Sequence, residues 1–339
     1  MTTLGDRVKK GIRLFLVLAV VTMILLLIFT ARRETLEALR KVNVFYLIFA
    51  FILWLIYIFM EAVRLSLFIH GITGRWGSIS MGLNVMLTGA FLSAVTPTGM
   101  GGFPVQLYIM EKEGISFGRG TLVLLLRWIF CAILIISMLP FLLPIFSKQS
   151  GGMYMKVFLR YSMVIYIILI VFITFILVRP KVIKRFLYRI SLRHGRRTKV
   201  TKLIYKGFRE IEEMREDFWS FSLKKRWHSI ASYFLTFLTY LPFFSIAPIL
   251  LKGLGVDVAY VQAVFLPLVV SLFTFFAPTP GATGLYEGGF AILFAPFVVK
   301  HLLGVFTILW RFFTYYLAAI LGGLVTLKVL KLGEREIEE

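Results

Sequence analysis

Long apolar runs separated by short charged segments set the pattern of this chain. Six of them read as membrane spans: residues 12–31, 44–69, 121–146, 157–178, 229–251 and 304–330. About 20 consecutive apolar residues in a helix cross a hydrocarbon core of about 30 Å. The first run, IRLFLVLAVVTMILLLIFTA, follows Arg7, Lys9 and Lys10 and carries Arg13 near its start. Basic residues before an apolar run also mark a signal peptide. This run is long for one, however, and no small-residue cleavage site follows it, so we expect it to remain as the first helix.

Two further apolar stretches carry Pro and Gly at their centres. Ser80 to Met110 is interrupted at TPTGMGGFP, and Tyr260 to Val299 is interrupted at APTPGATG. At about 1.5 Å of rise per residue, each half falls short of a span or only just reaches one. The pattern predicts two re-entrant hairpins of half-helices, with two tightly joined full spans as the alternative. The predicted class is therefore an all-α integral membrane bundle with two oppositely oriented broken-helix hairpins. As a single transmembrane domain, 1–339 divides into four parts. A first half, 1–178, has its hairpin near 80–110. A basic cytoplasmic loop, 179–228, carries an amphipathic helix. A second half, 229–330, has its hairpin near 260–299, and a charged tail covers 331–339.

Composition agrees with the pattern. Hydrophobic residues make up 59% of the chain and charged residues only 16%, and the mean hydropathy is +0.87. A soluble domain carries about 45–50% apolar and about 25% charged residues. The net charge of +21 raises the question of nucleic acid. Its location answers against it, since sixteen of the 38 lysines and arginines lie between Arg179 and Arg226. A basic loop beside membrane spans marks the cytoplasmic face and attracts anionic headgroups. With both termini and this loop inside, 26 Lys and Arg fall inside and nine outside, a bias that comes mostly from the loop. The expected location is the cell membrane, with cytoplasmic termini. Cys131 is the sole cysteine, so no intramolecular disulfide forms.

In this topology the two hairpins dip in from opposite faces, as in an inverted repeat. Each break is followed by a span with one buried arginine. Arg127 in LLLRWIF comes 25 residues after Gly102, and Arg311 in ILWRFFTYY comes 27 after Gly284. Inverted repeats with broken helices at the midplane build many secondary transporters. Chance likeness of two apolar segments is the competing reading. Within the basic loop, Ile204, Phe208, Ile211, Met214, Phe218 and Phe221 recur at spacings of three and four. They make one helical face, which either lies in the membrane interface or docks on other helices.

Candidate chemistry follows from the breaks and the buried charges. Pro removes a backbone donor and Gly permits left-handed backbone. In lipid, such backbone is tolerated only inside protein or against a water-filled cavity. Half-helix N-termini offer free N–H groups and partial positive charge, for which a phosphate is the natural guest. The binding candidates are Thr98, Gly99, Gly101 and Gly102 at the first break. At the second they are Pro280, Gly281, Gly284 and Glu287, with Arg127 and Arg311 as phosphate clamps. Mere turns, with Glu287 paired to Arg127 or Arg311 as a structural tie, are the alternative. Glu61 and Arg64, three apart on one helical face, are candidates for coupling or an ion pair. Arg64, near a span end, is expected to snorkel towards the interface.

No HExxH, CxxC or P-loop motif occurs. The histidines, His70, His194, His228 and His301, are too scattered for a metal site. The expectation is a non-enzyme with no cofactor, no metal and no nucleic-acid partner. Membrane lipids are the expected partners, and self-association is left open.

These residues resemble a family. A basic first span, a P-x-G-x-G-G break, an arginine span, a basic loop, PTPGATGLYEGG and an arginine span ending YY-L-A are similar to the transmembrane part of bacterial lysylphosphatidylglycerol synthetases. They are similar also to the broader flippase-like (UPF0104) membrane proteins. The resemblance covers nearly the whole chain. Its more specific motif is Pro280-Gly281-x-x-Gly284-x-x-Glu287. At the first break, Phe103 and Gln106 stand where the family often has an acid and a base. The resemblance implies movement of a polar-headed lipid between leaflets, with Glu287, Arg127 and Arg311 at matching positions. No aminoacyl-transferase domain is present in the sequence, so synthesis of lysyl-lipid is not expected. An intramembrane enzyme acting on lipid phosphate or lipid-linked sugar, and a non-transporting partner of a glycosyltransferase, are the rival readings.

Overall fold

The structure is a computed structural model that describes residues 42–96, 99, 101–147, 164, 167, 168, 171, 209, 210, 212–274 and 279–338. Regular structure among them is entirely helical. The expected span at 12–31 lies outside the described residues. So does 157–178, apart from Val164, Ile167, Ile168 and Val171.

Among the described residues, four long helices have the length and apolarity to cross a membrane. The first, α1, is Val44–Thr73. Asn43 starts it, its side-chain oxygen accepting the Phe45 N–H at 3.0 Å. Gly74, at φ 76°, ends it by donating its N–H to His70 O at 2.9 Å. This is the single-bond left-handed cap that glycine favours. The second long helix, α4, is Phe117–Ser147. The third, α5, is Arg226–Gly253 and contains Pro242 and Pro248. The fourth runs from Lys300 through a π-helical turn. Its parts are α8, Lys300–Arg311, the π turn Phe312–Tyr316 and α9, Leu317–Glu338.

The two Pro/Gly stretches each form a pair of short helices. Ile79–Val95 is α2, with 17 residues, and Gly102–Lys112 is α3, with 11. Thr96 precedes Pro97, a position that disfavours further helix. Tyr260–Thr274 is α6, with 15 residues, and Leu285–Phe294 is α7, with 10. At 1.5 Å per residue these measure about 26, 17, 23 and 15 Å, each less than the hydrocarbon core of about 30 Å.

The chain divides into two compact units. In the first, comprising 1–62, 82–106 and 238–339, glycines let helices approach backbone to backbone. Gly82 lies against the backbone of Ala62, and Gly102 against Ser93 and the Gly89 carbonyl. Gly322 of α9 sits directly on the Leu87 carbonyl of α2, and a methyl there would overlap it. Small residues of this kind let membrane helices meet backbone to backbone, where dispersion contacts accumulate.

In the second unit, comprising 63–81 and 107–237, three aromatic rings form a centre. Phe68 meets Phe130 at 5.3 Å and Phe221 at 6.0 Å, and Phe130 meets Phe221 at 6.2 Å. Phe221 is fully buried and belongs to the face read from the sequence. It lies in a π-helical segment, Ser220–Lys224, that follows helical residues 212–219. Polar ends fasten this segment. Glu210 Oε2 accepts the Gly118 N–H at the start of α4 at 2.6 Å. Arg119 Nε donates to Asp217 Oδ2 at 2.8 Å. Lys225 Nζ donates to Gly71 O, in the last turn of α1, at 2.7 Å. An acid at a helix start and a base at a helix end both oppose the local macrodipole.

Two substitutions test these contacts by thermal unfolding in detergent. Gly322→Ala has to push apart two backbones and is expected to cost about 1–3 kcal/mol. Phe221→Ala empties the aromatic centre of the second unit and is expected to cost about 3–5 kcal/mol.

Candidate functional site

The second break is built from left-handed backbone. Pro280–Ala282 form a 3₁₀ turn in which Gly281 has φ 58° and ψ 20°. Ala282 has φ 58° and Gly284 has φ 88°. Glycine takes such angles freely, whereas alanine in this region is strained. The Ala282 N–H donates to Thr279 O at 3.0 Å, which holds the turn. Gly281 lies directly under the Tyr315 hydroxyl, leaving no room for a side chain.

Three residues further on, Glu287 turns back on this backbone. Its Oε2 accepts the Gly284 N–H at 2.6 Å, satisfying a donor at the start of α7 that would otherwise be orphaned. Its Oε1 accepts Arg311 Nε–H at 2.7 Å. The Arg311 Nη2 donates to Gly281 O at 3.0 Å. The guanidinium thus touches both sides of the break. Side-chain exposure is 4% for Arg311 and 3% for Glu287, so the pair is shielded from water.

Aromatic rings complete the enclosure. The guanidinium carbon lies 3.9 Å from the Tyr315 ring centre, 4.6 Å from Tyr286 and 5.6 Å from Tyr316. Stacked or capped guanidinium is favoured by the ring quadrupole, most when water is excluded. Trp310 Nε1 donates to the Tyr286 hydroxyl at 3.3 Å, and Tyr316 OH donates to Glu287 Oε1 at 3.5 Å. Phe290 stacks on Trp310 at 5.5 Å. The π turn immediately follows Arg311 and carries both Tyr315 and Tyr316. Such turns recur at functional sites.

Both breaks fall in the first unit. Tyr316 packs with Phe91, Ala94, Val95 and Ala319, and Leu92 and Tyr315 join this cluster. The last turn of α2, just before the first break, therefore rests on the tyrosines around Arg311. The described residues of the first break bond to one another and to α2. Gly99, at φ 69°, donates its N–H to Thr96 O at 3.2 Å. Thr96 Oγ1 accepts the Gly101 N–H at 2.9 Å and donates to Leu92 O at 2.6 Å. Gly102 opens α3 against α2, and Thr98 lies outside the described residues. Gln106 donates to Val85 O at 3.2 Å and packs on Gly89, tying α3 to α2.

Arg127 is half-buried on α4 in the second unit. Glu61 is fully buried in the first unit. Arg64 does not snorkel: it is 0% exposed in the second unit, and its Nη1 donates to Thr236 Oγ1 at 3.4 Å. Its chain end is far enough from the helix terminus, and Thr236 near enough, for an internal partner to win over water. Sequence reading missed Tyr286, Trp310, Tyr315 and Tyr316. Tyrosines next to Glu287 and four and five residues after Arg311 were the available signal.

The family model for the lysylphosphatidylglycerol synthase transmembrane region matches residues 14–322. The chain belongs to this family. A UPF0104 membrane protein from Archaeoglobus fulgidus is 26% identical over 314 residues, covering 87% of this chain and 90% of the relative. No solved structure matches. Membership in the lysylphosphatidylglycerol synthase transmembrane family thus extends over both breaks, Glu287, Arg311 and the tyrosines beyond it.

Breaking the buried pair leaves a charge without its counterion. Arg311→Gln or Glu287→Gln alone is expected to lower stability by about 3–5 kcal/mol, and the combined Glu287→Gln, Arg311→Gln change by less than the sum. Thermal unfolding of the three variants checks this; strict additivity would show that the two side chains act independently.

Proposed function

We propose that this protein is a lipid translocase that moves a phospholipid or lipid-linked headgroup between leaflets without converting it chemically. The observation that carries this reading is the buried Glu287–Arg311 pair seated on the second break, with the end of α2 packed against its tyrosines. An ionisable pair deep in apolar surroundings is costly to retain and marks a substrate path by default. Guanidinium with a helix-start N–H is a donor set suited to phosphate. Membership in a lipid-related family is compatible with a lipid as cargo.

Four short helices, each under about 20 residues, support re-entrant hairpins. The parallel spacing of Gly102 to Arg127 and Gly284 to Arg311 supports an inverted repeat, with Arg127 in the corresponding place in the first half. On this reading the protein sits in the cell membrane with its termini in the cytoplasm. The acyl tails stay in the bilayer while Arg311, Gly281, Gly284 and the backbone of both breaks guide the headgroup. No nucleotide-binding loop occurs in the sequence, so the movement is downhill or ion-driven.

The test uses protein reconstituted alone into liposomes containing a fluorescent phospholipid quenched by external dithionite. Wild type is expected to accelerate exchange between leaflets, and Arg311→Gln to reduce the rate at least about tenfold, in line with the loss of one charge-assisted contact. Unchanged exchange with wild type across anionic and zwitterionic lipids sinks the proposal. A chemically altered lipid recovered from the vesicles would replace it with the enzyme reading.

A further inference from the structure

Glu287 occupies both donors that a phosphate would use. Its two oxygens, set at an angle about one carbon, bridge the Arg311 Nε–H and the Gly284 N–H at 2.7 and 2.6 Å. A phosphodiester presents two oxygens about one phosphorus in the same manner. Guanidinium and a helix-start amide are the usual hosts of that group. Resting on the translocase reading above, we infer that Glu287 is an internal competitor: its carboxylate holds the anion position when no headgroup is bound, and a phosphate must displace it to reach Arg311.

The geometry makes such an exchange workable because Arg311 does not depend on Glu287 for its place. Its Nη2 is anchored on Gly281 O at 3.0 Å. Its flat face is covered by Tyr315 at 3.9 Å and Tyr286 at 4.6 Å. The guanidinium therefore stays aimed at the same point when the carboxylate leaves. Glu287 has an alternative partner in the Tyr316 hydroxyl, already 3.5 Å from Oε1. The exchange replaces one anion by another at a fixed cation, so the phosphate takes over compensation of the buried positive charge as the carboxylate moves to Tyr316.

The kinetic consequence suits transport. A buried arginine with no competitor would hold a phosphate tightly and release it slowly. With Glu287 in place, the apparent affinity is reduced by the fraction of time that Arg311 is free. Glu287 then returns to expel the headgroup once the site has opened to the other side. The ligand class is a phosphate mono- or diester.

The test measures binding to purified full-length protein in detergent by calorimetry and by ligand-induced shift of the melting temperature. The probes are dihexanoylphosphatidylglycerol, inorganic phosphate and dihexanoylglycerol, which has no phosphate. Glu287→Gln is expected to bind the phosphatidylglycerol probe about tenfold more tightly than wild type, and its melting temperature to rise more on addition of the probe. Arg311→Gln is expected to lose binding, and dihexanoylglycerol to bind none of the proteins better than another. A lipid-only response identifies the headgroup as the ligand; an equal response to inorganic phosphate identifies free phosphate. If Glu287→Gln does not fold, Glu287→Asp serves, because one methylene less weakens the bridge while keeping the charge; it should bind more tightly than wild type by a smaller factor. Loss of binding in Arg311→Gln with no gain in either Glu287 variant overturns the competitor role and leaves the translocase reading standing. Binding unaffected by either position places the headgroup elsewhere and removes the site itself.

Discussion

A charge held in apolar surroundings must be compensated on the spot, and around Arg311 this requirement organises the neighbourhood. The guanidinium needs an anion, which Glu287 supplies. Glu287 reaches it only because Gly281, Ala282 and Gly284 bend the chain through left-handed angles. The bend in turn needs its loose backbone groups satisfied, and Gly284 N–H and Gly281 O are satisfied by the same two side chains. Removing any one member leaves another buried and unpaired. The break is therefore a defined conformation, fixed by the ion pair, in a region where Pro and Gly would otherwise permit many.

Packing around the pair relies on two opposite devices. Large aromatic rings wall it, with Tyr286, Phe290 and Trp310 stacked in sequence. Glycines bring the surrounding helices close, as at Gly322 on Leu87 and Gly102 on Gly89. Rings exclude water, and so strengthen the electrostatic bond within. Glycines give the bundle backbone contact where lipid tails offer no hydrophobic gain for helix association.

Much of this architecture was legible because bilayer thickness imposes so long and regular a pattern. Spans expected at 44–69, 121–146 and 229–251 correspond to helices Val44–Thr73, Phe117–Ser147 and Arg226–Gly253. Helices extend past the apolar runs because hydrogen bonding, not hydropathy, ends them, as Gly74 does for α1. The breaks were legible from Pro97 and Pro280 and their glycines. What was not legible depended on partners distant in sequence. Arg64 near a span end suggested water, yet Thr236, from another helix, keeps it inside. Gln106 read as a lost binding residue and turned out to bond α2. The tyrosines around Arg311 were hidden among many aromatic residues, and a π turn has no dependable sequence signature.

That π turn acts as a phase shifter in a screw. An α-helix advances about 100° per residue, so one extra residue taken up in a wider turn rotates everything beyond it by that amount. Upstream, the thread of α8 is timed to deliver Arg311 to the break. Downstream, the thread of α9 is timed to lay Gly322 on α2. The wider turn at Phe312–Tyr316 reconciles two clocks that would otherwise disagree, and the tyrosines it carries are the hands that show the setting.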